Sequence, residues 1–364
     1  MKVLNLIWGF TLGAGIDKCF LTYARLGEVD SDVEVKSVCI NLQNLDSHIE
    51  PLQEIGVEFI NIKSRLDFSW LGQLRNLIER ENPDVIFAHG FNGAIVMLFE
   101  RLFKGVKIPS VFSYHGLYNP PTVYRKLVSP IFNYLPILVY RHLASTVISV
   151  SDDSRNQLIA RKVPSSKVVT VYNGIEDVVS DEKVEMCGDV VNIVSCSRID
   201  AIKGLDILLQ ALAILRDKGM FFHYYMIGEG PELQSLKTLC SGLSLDNYVT
   251  FVGYQTNINE WLKGADIFTI TSFQENHSIA VLEAMRAGKA IVATDVGGNS
   301  ESIRDGYEGI LVRAGDKVSL ADALGMQILD KELRVRLGKM ARERFVEKFT
   351  EEAMMKNLVK VLKR

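Results

Sequence analysis

The chain of 364 residues has no cysteine pair at C-x-x-C spacing and no surplus of one charge sign. It also has no unbroken apolar run of membrane-spanning length. Its five cysteines, Cys19, Cys39, Cys187, Cys196 and Cys240, are scattered. That excludes a disulfide framework and a thiolate zinc site, and it suits a reducing cytoplasm. A net charge of −3 gives no global attraction to nucleic acid. The longest apolar stretch, 131–150, is interrupted by Arg141 and His142 and carries Asn133 and Pro136, so no spanning helix is expected. The opening MKVLNLIWGF enters a Gly-rich turn without a small-residue cleavage site and reads as a first β-strand, not a signal peptide. No G-x-G-x-x-G follows it, which weighs against a dinucleotide-dependent oxidoreductase. Repeats and low-complexity tracts are also missing.

Acidic residues are absent between Arg101 and Ser151. That span holds Arg101, Lys104, Lys107, Arg125, Lys126 and Arg141 together with Tyr114, Tyr118, Tyr124, Phe132, Tyr134 and Tyr140. Cations among aromatics fit an anionic membrane surface, each well-placed cation contributing about 1 kcal/mol. A buried helix with ordinary surface cations fits the same residues.

Hydrophobic residues make up 48% of the chain and charged residues 23%, ordinary for a globular protein, and the length calls for two domains. Short β-branched runs alternate with helical patterns: VLNLIWG, VEVKSVCI, VEFINI, DVIFAHG, PSVFSYHG, TVISVS and VVTVYNG. The alternation restarts with VVNIVSCS, FFHYYMIGEG, YVTFVGY, DIFTITS and AIVATD, separated by helical segments that end at glycine. Two doubly wound α/β domains in series are expected. Their bounds are 1–176 and 190–345, with a polar linker at 177–189 and a C-terminal helix at 346–364 returning to the N-terminal domain.

The richest segment for chemistry is TSFQENHSIAVLEAMRAGKAIVATDVGGNSESI, from Thr271. A strand ends near Ser272, a loop carries Glu275 to Ser278, and a helix runs from Ile279 to Ala287 before Gly288. Loop amides and the helix dipole at such an N-terminus favour an anion, so a diphosphate fits there. Glu275 before the helix and Glu283 within it address different parts of one ligand and accept from hydroxyls. As isolated residues they would read as a helix cap and a solvent-facing charge.

The segment resembles the E-x₇-E signature of retaining glycosyltransferases of family four. The resemblance implies a GT-B fold: two Rossmann-like domains facing a central cleft. It implies that Glu275 holds donor-sugar hydroxyls, that Glu283 holds the nucleotide ribose, and that the amides of Asn276, His277, Ser278 and Ile279 bind phosphate. The family often carries Gly or Pro where this loop reads Asn276-His277-Ser278. SRIDAIKG supplies Arg198 and Lys203, similar to the basic pair that clamps the diphosphate and stabilises the leaving group. MIGEGPE resembles the family's I-G-x-G-P turn, placing Gly228 and Gly230 near the nucleotide, with Gly253 and Tyr254 near the base.

In the N-terminal half, Gly13 and Gly15 stand where the family carries a Gly-Gly turn, with Ala14 in place of the usual second glycine. Backbone approach to donor phosphate or acceptor is one role, and a tight strand-to-helix turn is the other. Asp17 reads as an acceptor-orienting group or a helix N-terminal charge. His115, after the strand PSVFSY, stands where the family has a histidine facing the donor sugar, with His89 in FAHG as a second candidate. YNGIE, with Asn173 and Gly174, resembles the turn closing the N-terminal domain.

The resemblance further implies retention of anomeric configuration by front-face attack, with no cofactor and no metal. The D-x-D string, Asp30-Ser31-Asp32, lies in a polar connection away from the expected site. The implied partners are a nucleotide sugar, with UDP preferred, and a glycan or lipid-linked glycan acceptor, in surface polysaccharide synthesis at the inner face of the membrane. A nucleotide-sugar epimerase or a noncatalytic glycan-binding protein on the same scaffold are the rival expectations.

Overall fold

A computed structural model describes residues 1–9, 15–42, 52, 55–64, 67–105, 107–116, 134–178 and 180–364, the side chains of 15–18, 42 and 103–104 excepted. It divides into two compact units, residues 1–173 with 351–364, and residues 174–350.

The first unit is built on a seven-stranded sheet: β1 (Lys2–Trp8), β2 (Glu34–Leu42), β3 (Glu58–Ile62), β4 (Val85–His89), β5 (Ser110–Tyr114), β6 (Thr146–Ser149) and β7 (Val168–Thr170). The order is β3-β2-β1-β4-β5-β6-β7, and every recorded pairing is parallel. A parallel sheet buried on both faces needs apolar side chains of either parity, as these strands supply. Leu4, Leu6, Ile86 and Phe112 pack on one side with Trp70 and Leu74 of helix Trp70–Glu81. Val3, Phe87 and Val111 pack on the other with Tyr23 and the C-terminal helix Glu351–Leu362, which contributes Met354, Met355, Leu358 and Leu362.

The second unit carries six strands: β8 (Val191–Cys196), β9 (Phe222–Ile227), β10 (Val249–Gly253), β11 (Ile267–Ile270), β12 (Ala290–Thr294) and β13 (Ile310–Val312). Their order is β10-β9-β8-β11-β12-β13. Strand order reverses beside β1 in the first sheet and beside β8 in the second, and ligands of doubly wound sheets bind beyond the strand carboxyl ends at such points.

Three boundaries differ from the expected ones. The chain changes unit between Asn173 and Gly174. The stretch 177–189 belongs to the second unit and is tied to it. There Val184 N–H donates to Glu260 O (3.1 Å), Lys263 donates to the carbonyls of Ser180 and Asp181, and Arg342 holds Asp177 bidentately. The C-terminal helical region is two helices, Lys331–Lys348 and Glu351–Leu362, and the chain returns to the first unit at the break. β13 is one strand that was not among the runs expected from the sequence.

The Asp30-Ser31-Asp32 string lies next to the amino end of β2, where its carboxylates pair with Lys363 at 2.7 and 3.6 Å. Among the described residues no helix is long and apolar enough to cross a membrane.

Candidate functional site

In the second unit, the loops leaving β8 and β11 are knitted together by backbone. Phe273 N–H donates to Ile202 O (2.8 Å), and Thr271 Oγ1 donates to the carbonyls of Lys203 and Gly204 at 2.9 and 3.0 Å. The turn 201–203 is capped by Asp200, whose carboxylate accepts from Ile202 N–H. Gly228 and Gly230 explain themselves in the same way. Gly228 has φ +134°, and a Cβ there would sit 1.9 Å from Ser197 O; at Gly230 it would sit 2.0 Å from Ile199 O. Both glycines therefore let the turn after β9 lie against the segment carrying Arg198, which Ile199 N–H fixes by donating to Glu229 O (2.8 Å).

This framework brings Lys203 and Glu275 together. Lys203 Nζ donates to Glu275 Oε1 at 2.7 Å, and Ser272 Oγ donates to the same oxygen at 2.6 Å. Both partners are mostly buried, with side-chain exposures of 21% and 11%, so the pair is screened less than a surface bridge. Arg198 is not part of that pair: its side chain is 65% exposed and lies 3.7 Å from Asp200. The positive charge thus has a mostly buried, paired component at Lys203 and an exposed one at Arg198.

Ser278 caps helix Ile279–Arg286, its hydroxyl accepting from Val281 N–H. The helix starts at Ile279, directly after the loop that carries Glu275, so its first-turn amides lack the intrahelical partners of later turns. His277 turns its side chain inward. Ser302 Oγ donates to Gly298 O (3.2 Å), so it accepts from His277 Nε2–H (3.1 Å). Burial lowers the His277 pKa to about 3, keeping the ring neutral. Glu283 is partly buried on the same helix, and its charge, after burial itself, raises the Cys196 thiol pKa at the end of β8. Tyr254, following β10, is exposed. Among the described residues no group of three or more His, Cys, Asp and Glu side chains is gathered.

In the first unit, Gly15 opens helix Gly15–Tyr23, while Gly13, Ala14 and the Asp17 side chain lie outside the described residues. So do Tyr118, Tyr124, Arg125, Lys126, Phe132 and the Lys104 side chain from the basic, aromatic span. His115 follows β5, partly exposed, with Nε2 3.1 Å from Ser113 Oγ, and burial lowers its pKa to about 4. His89, at the end of β4, is fully enclosed and meets Ser113 and Asn5.

Residues 191–330 match the family model described as Glycosyl transferases group 1, and residues 41–178 match Glycosyltransferase Family 4. The chain belongs to the family 4, group 1 glycosyltransferases. This glycosyltransferase is 27% identical to N-acetyl-alpha-D-glucosaminyl L-malate synthase of Bacillus anthracis over 79% of its own length and 77% of that protein. It is 29% identical to the amylovoran biosynthesis glycosyltransferase AmsK of Erwinia amylovora over 58% of its length and 54% of the relative. Among solved structures, Anabaena Alr3699/HepE in complex with UDP superposes with a TM-score of 0.82 at 20% identity, covering 100% of both chains. The same Anabaena protein in complex with UDP-glucose gives 0.82 over 100% of this chain and 99% of that one, at 20% identity. The fold of this glycosyltransferase is GT-B.

Several residues of the site escaped the sequence. Gly297 has φ +52°, and a Cβ there would sit 1.6 Å from Glu275 O, while one at Gly298 would sit 2.2 Å from Asn276 O. The turn after β12 therefore supports the Glu275 loop from beneath. Thr294 Oγ1 donates to Ser272 O (2.7 Å), and Asn299 Nδ2 donates to Thr294 O (3.0 Å). The adjacent glycines were a visible signal; the Ser, Thr and Asn residues were not.

Proposed function

We propose that this glycosyltransferase moves a hexose or N-acetylhexosamine from a UDP-linked donor to a hydroxyl of a glycan or lipid-linked glycan acceptor, retaining the anomeric configuration and needing no metal. The Lys203–Glu275 pair beside the amino end of helix Ile279–Arg286 carries this reading. A diphosphate meets helix amides, Lys203 and the exposed Arg198, so positive charge is available where the leaving group gains negative charge. Glu275 Oε1 is engaged by Lys203 and Ser272, which orients the carboxylate toward sugar hydroxyls. Glu283 is assigned to the ribose. The acceptor oxygen bonds to the anomeric carbon on the face the phosphate leaves. The carbon–phosphate-oxygen bond breaks, and the acceptor proton passes to the departing phosphate oxygen. Such a step depends on positioning and charge stabilisation rather than on a protein nucleophile.

The names of the relatives support the substrate class. One protein forms a glucosaminyl malate, one serves amylovoran biosynthesis, and the Anabaena neighbour holds UDP and UDP-glucose. The test is a thermal-shift screen of nucleotide sugars with and without EDTA. A bound donor at one hundred times its Kd raises stability by about 2.7 kcal/mol, and NMR of the product gives the anomer. Epimerisation or hydrolysis of donor without an acceptor, or loss of transfer in EDTA, would overturn the assignment.

Contact with an anionic membrane forms part of the same proposal. Arg101, Lys107 and Arg141 are described cations of the acid-free span, and Tyr134 of the same span is exposed. Co-sedimentation with anionic vesicles at low salt, lost at high salt, is the expected result.

A further inference from the structure

Donor binding in the second unit has to contend with a contact already made. Lys203 Nζ and Ser272 Oγ both donate to Glu275 Oε1, at 2.7 and 2.6 Å. Among the described residues, neither the Lys203 ammonium nor the Glu275 carboxylate makes any further hydrogen bond or ion pair. The backbones beneath them are pinned. Lys203 N–H donates to Asp200 O (3.0 Å), and Lys203 O accepts from Thr271 Oγ1 (2.9 Å). The turn at Gly297 lies so close under Glu275 O that a Cβ there would sit 1.6 Å from it. What can move without breaking those contacts is the side chains, above all the four-carbon lysine stem. Arg198 stands outside the pair, 65% exposed and 3.7 Å from Asp200.

We propose that Lys203 and Glu275 exchange partners when donor binds, and that the exchange makes the protein prefer the intact nucleotide sugar to the nucleoside diphosphate it leaves behind. The proposal rests on the reading above, in which Lys203 meets the diphosphate and Glu275 meets sugar hydroxyls. A diphosphate that draws Lys203 away leaves a carboxylate only 11% exposed with one neutral partner, the Ser272 hydroxyl. Removing one member of a shielded ion pair penalises the member left behind. Sugar hydroxyls relieve that penalty by donating to Glu275 in place of the lysine. A nucleoside diphosphate alone has no group to offer there. The penalty therefore falls on the product and not on the substrate, and once the sugar has been transferred the re-forming pair favours departure of the diphosphate.

The test is isothermal titration of UDP into the native protein, Glu275→Gln, Lys203→Gln and the double variant, with melting curves to show that each is folded. Glutamine keeps the shape of Glu275 and still accepts from Ser272, but it carries no charge to hold Lys203. Glu275→Gln should bind UDP about tenfold more tightly than the native protein, the scale of one charge-assisted hydrogen bond. Lys203→Gln should bind UDP more weakly, and adding Glu275→Gln to it should bring no tightening, because no lysine remains to be released. Equal tightening in both backgrounds would reduce the effect to relief of charge repulsion and overturn the exchange. Unchanged or weaker UDP binding in Glu275→Gln would overturn it as well. Titration of the native protein with UDP-glucose, UDP-galactose and their N-acetylhexosamine counterparts supplies a check without variants: UDP bound more tightly than all of them sinks the proposed preference. Absence of UDP binding to the native protein would instead bring down the donor reading itself, and the exchange with it.

Discussion

The two units use one topology to make opposite chemical environments. At the carboxyl edge of the second sheet, Lys203, Glu275 and Arg198 supply charge, and the loops bearing them are held by backbone contacts that only glycine allows. At the corresponding edge of the first sheet, Asn5, His89, Ser113 and His115 form a neutral chain of hydrogen bonds packed among aromatic rings. A doubly wound sheet supplies a place for a ligand; the residues at and beyond each strand's carboxyl end decide the chemical character of that place.

The contrast can be broken most forcefully at Glu275. Glu275→Ala should cut turnover by about 10²–10³-fold, because it removes a sugar ligand and leaves Lys203 without its counter-charge. Steady-state kinetics at saturating donor checks this, and near-normal turnover would erase the distinction between the two edges. Gly228→Ala should cost about 3 kcal/mol of stability, since a Cβ 1.9 Å from Ser197 O forces the backbone apart. Denaturant unfolding measures it, and an unchanged midpoint would show that the second edge does not depend on close backbone contact.

Arg198→Ala should weaken UDP binding by about tenfold while leaving the thermal midpoint in place, because the side chain is 65% exposed. Isothermal titration alongside a melting curve separates the two effects. The smallest effect concerns pH. His277 has its pKa lowered from 6.5 to about 3 by burial, so below 6.5 the unfolded chain takes up a proton that the folded chain refuses. Stability is therefore lost as pH falls through this window, by up to about 1.4 kcal/mol per pH unit for this group. His277→Asn should flatten the decline by that slope; an unchanged slope would mean that the ring is not held neutral.

How far the sequence reached can be judged residue by residue. The helix after Ser278 was legible because its apolar spacing is local and follows a helical period, whereas Glu275 and Glu283 were singled out only by the resemblance to the E-x₇-E signature, and it is Ser278, not Glu275, that caps the helix. The strands were legible as apolar runs, except for three-residue β13. The glycines at 228 and 230 were visible, but their reason was not: the atoms they avoid belong to residues 197 and 199, on a different strand's loop. Lys203 and Arg198 looked like one basic pair, yet only Lys203 reaches Glu275, a partner 72 residues away.

By itself, then, the sequence determined most of the strand and helix content, the presence of a helix amino end after the Glu275 loop, and the supply of acidic and basic groups around it. These depend on periodicity and on neighbours within a turn or two of helix. Tertiary structure alone decided which cation reaches Glu275, which glycines are obligatory, and that Asn5, His89, Ser113 and His115 come within hydrogen-bond distance of one another. Each of those depends on strand register and strand order, which bring together residues up to 84 positions apart and leave no periodic trace along the chain.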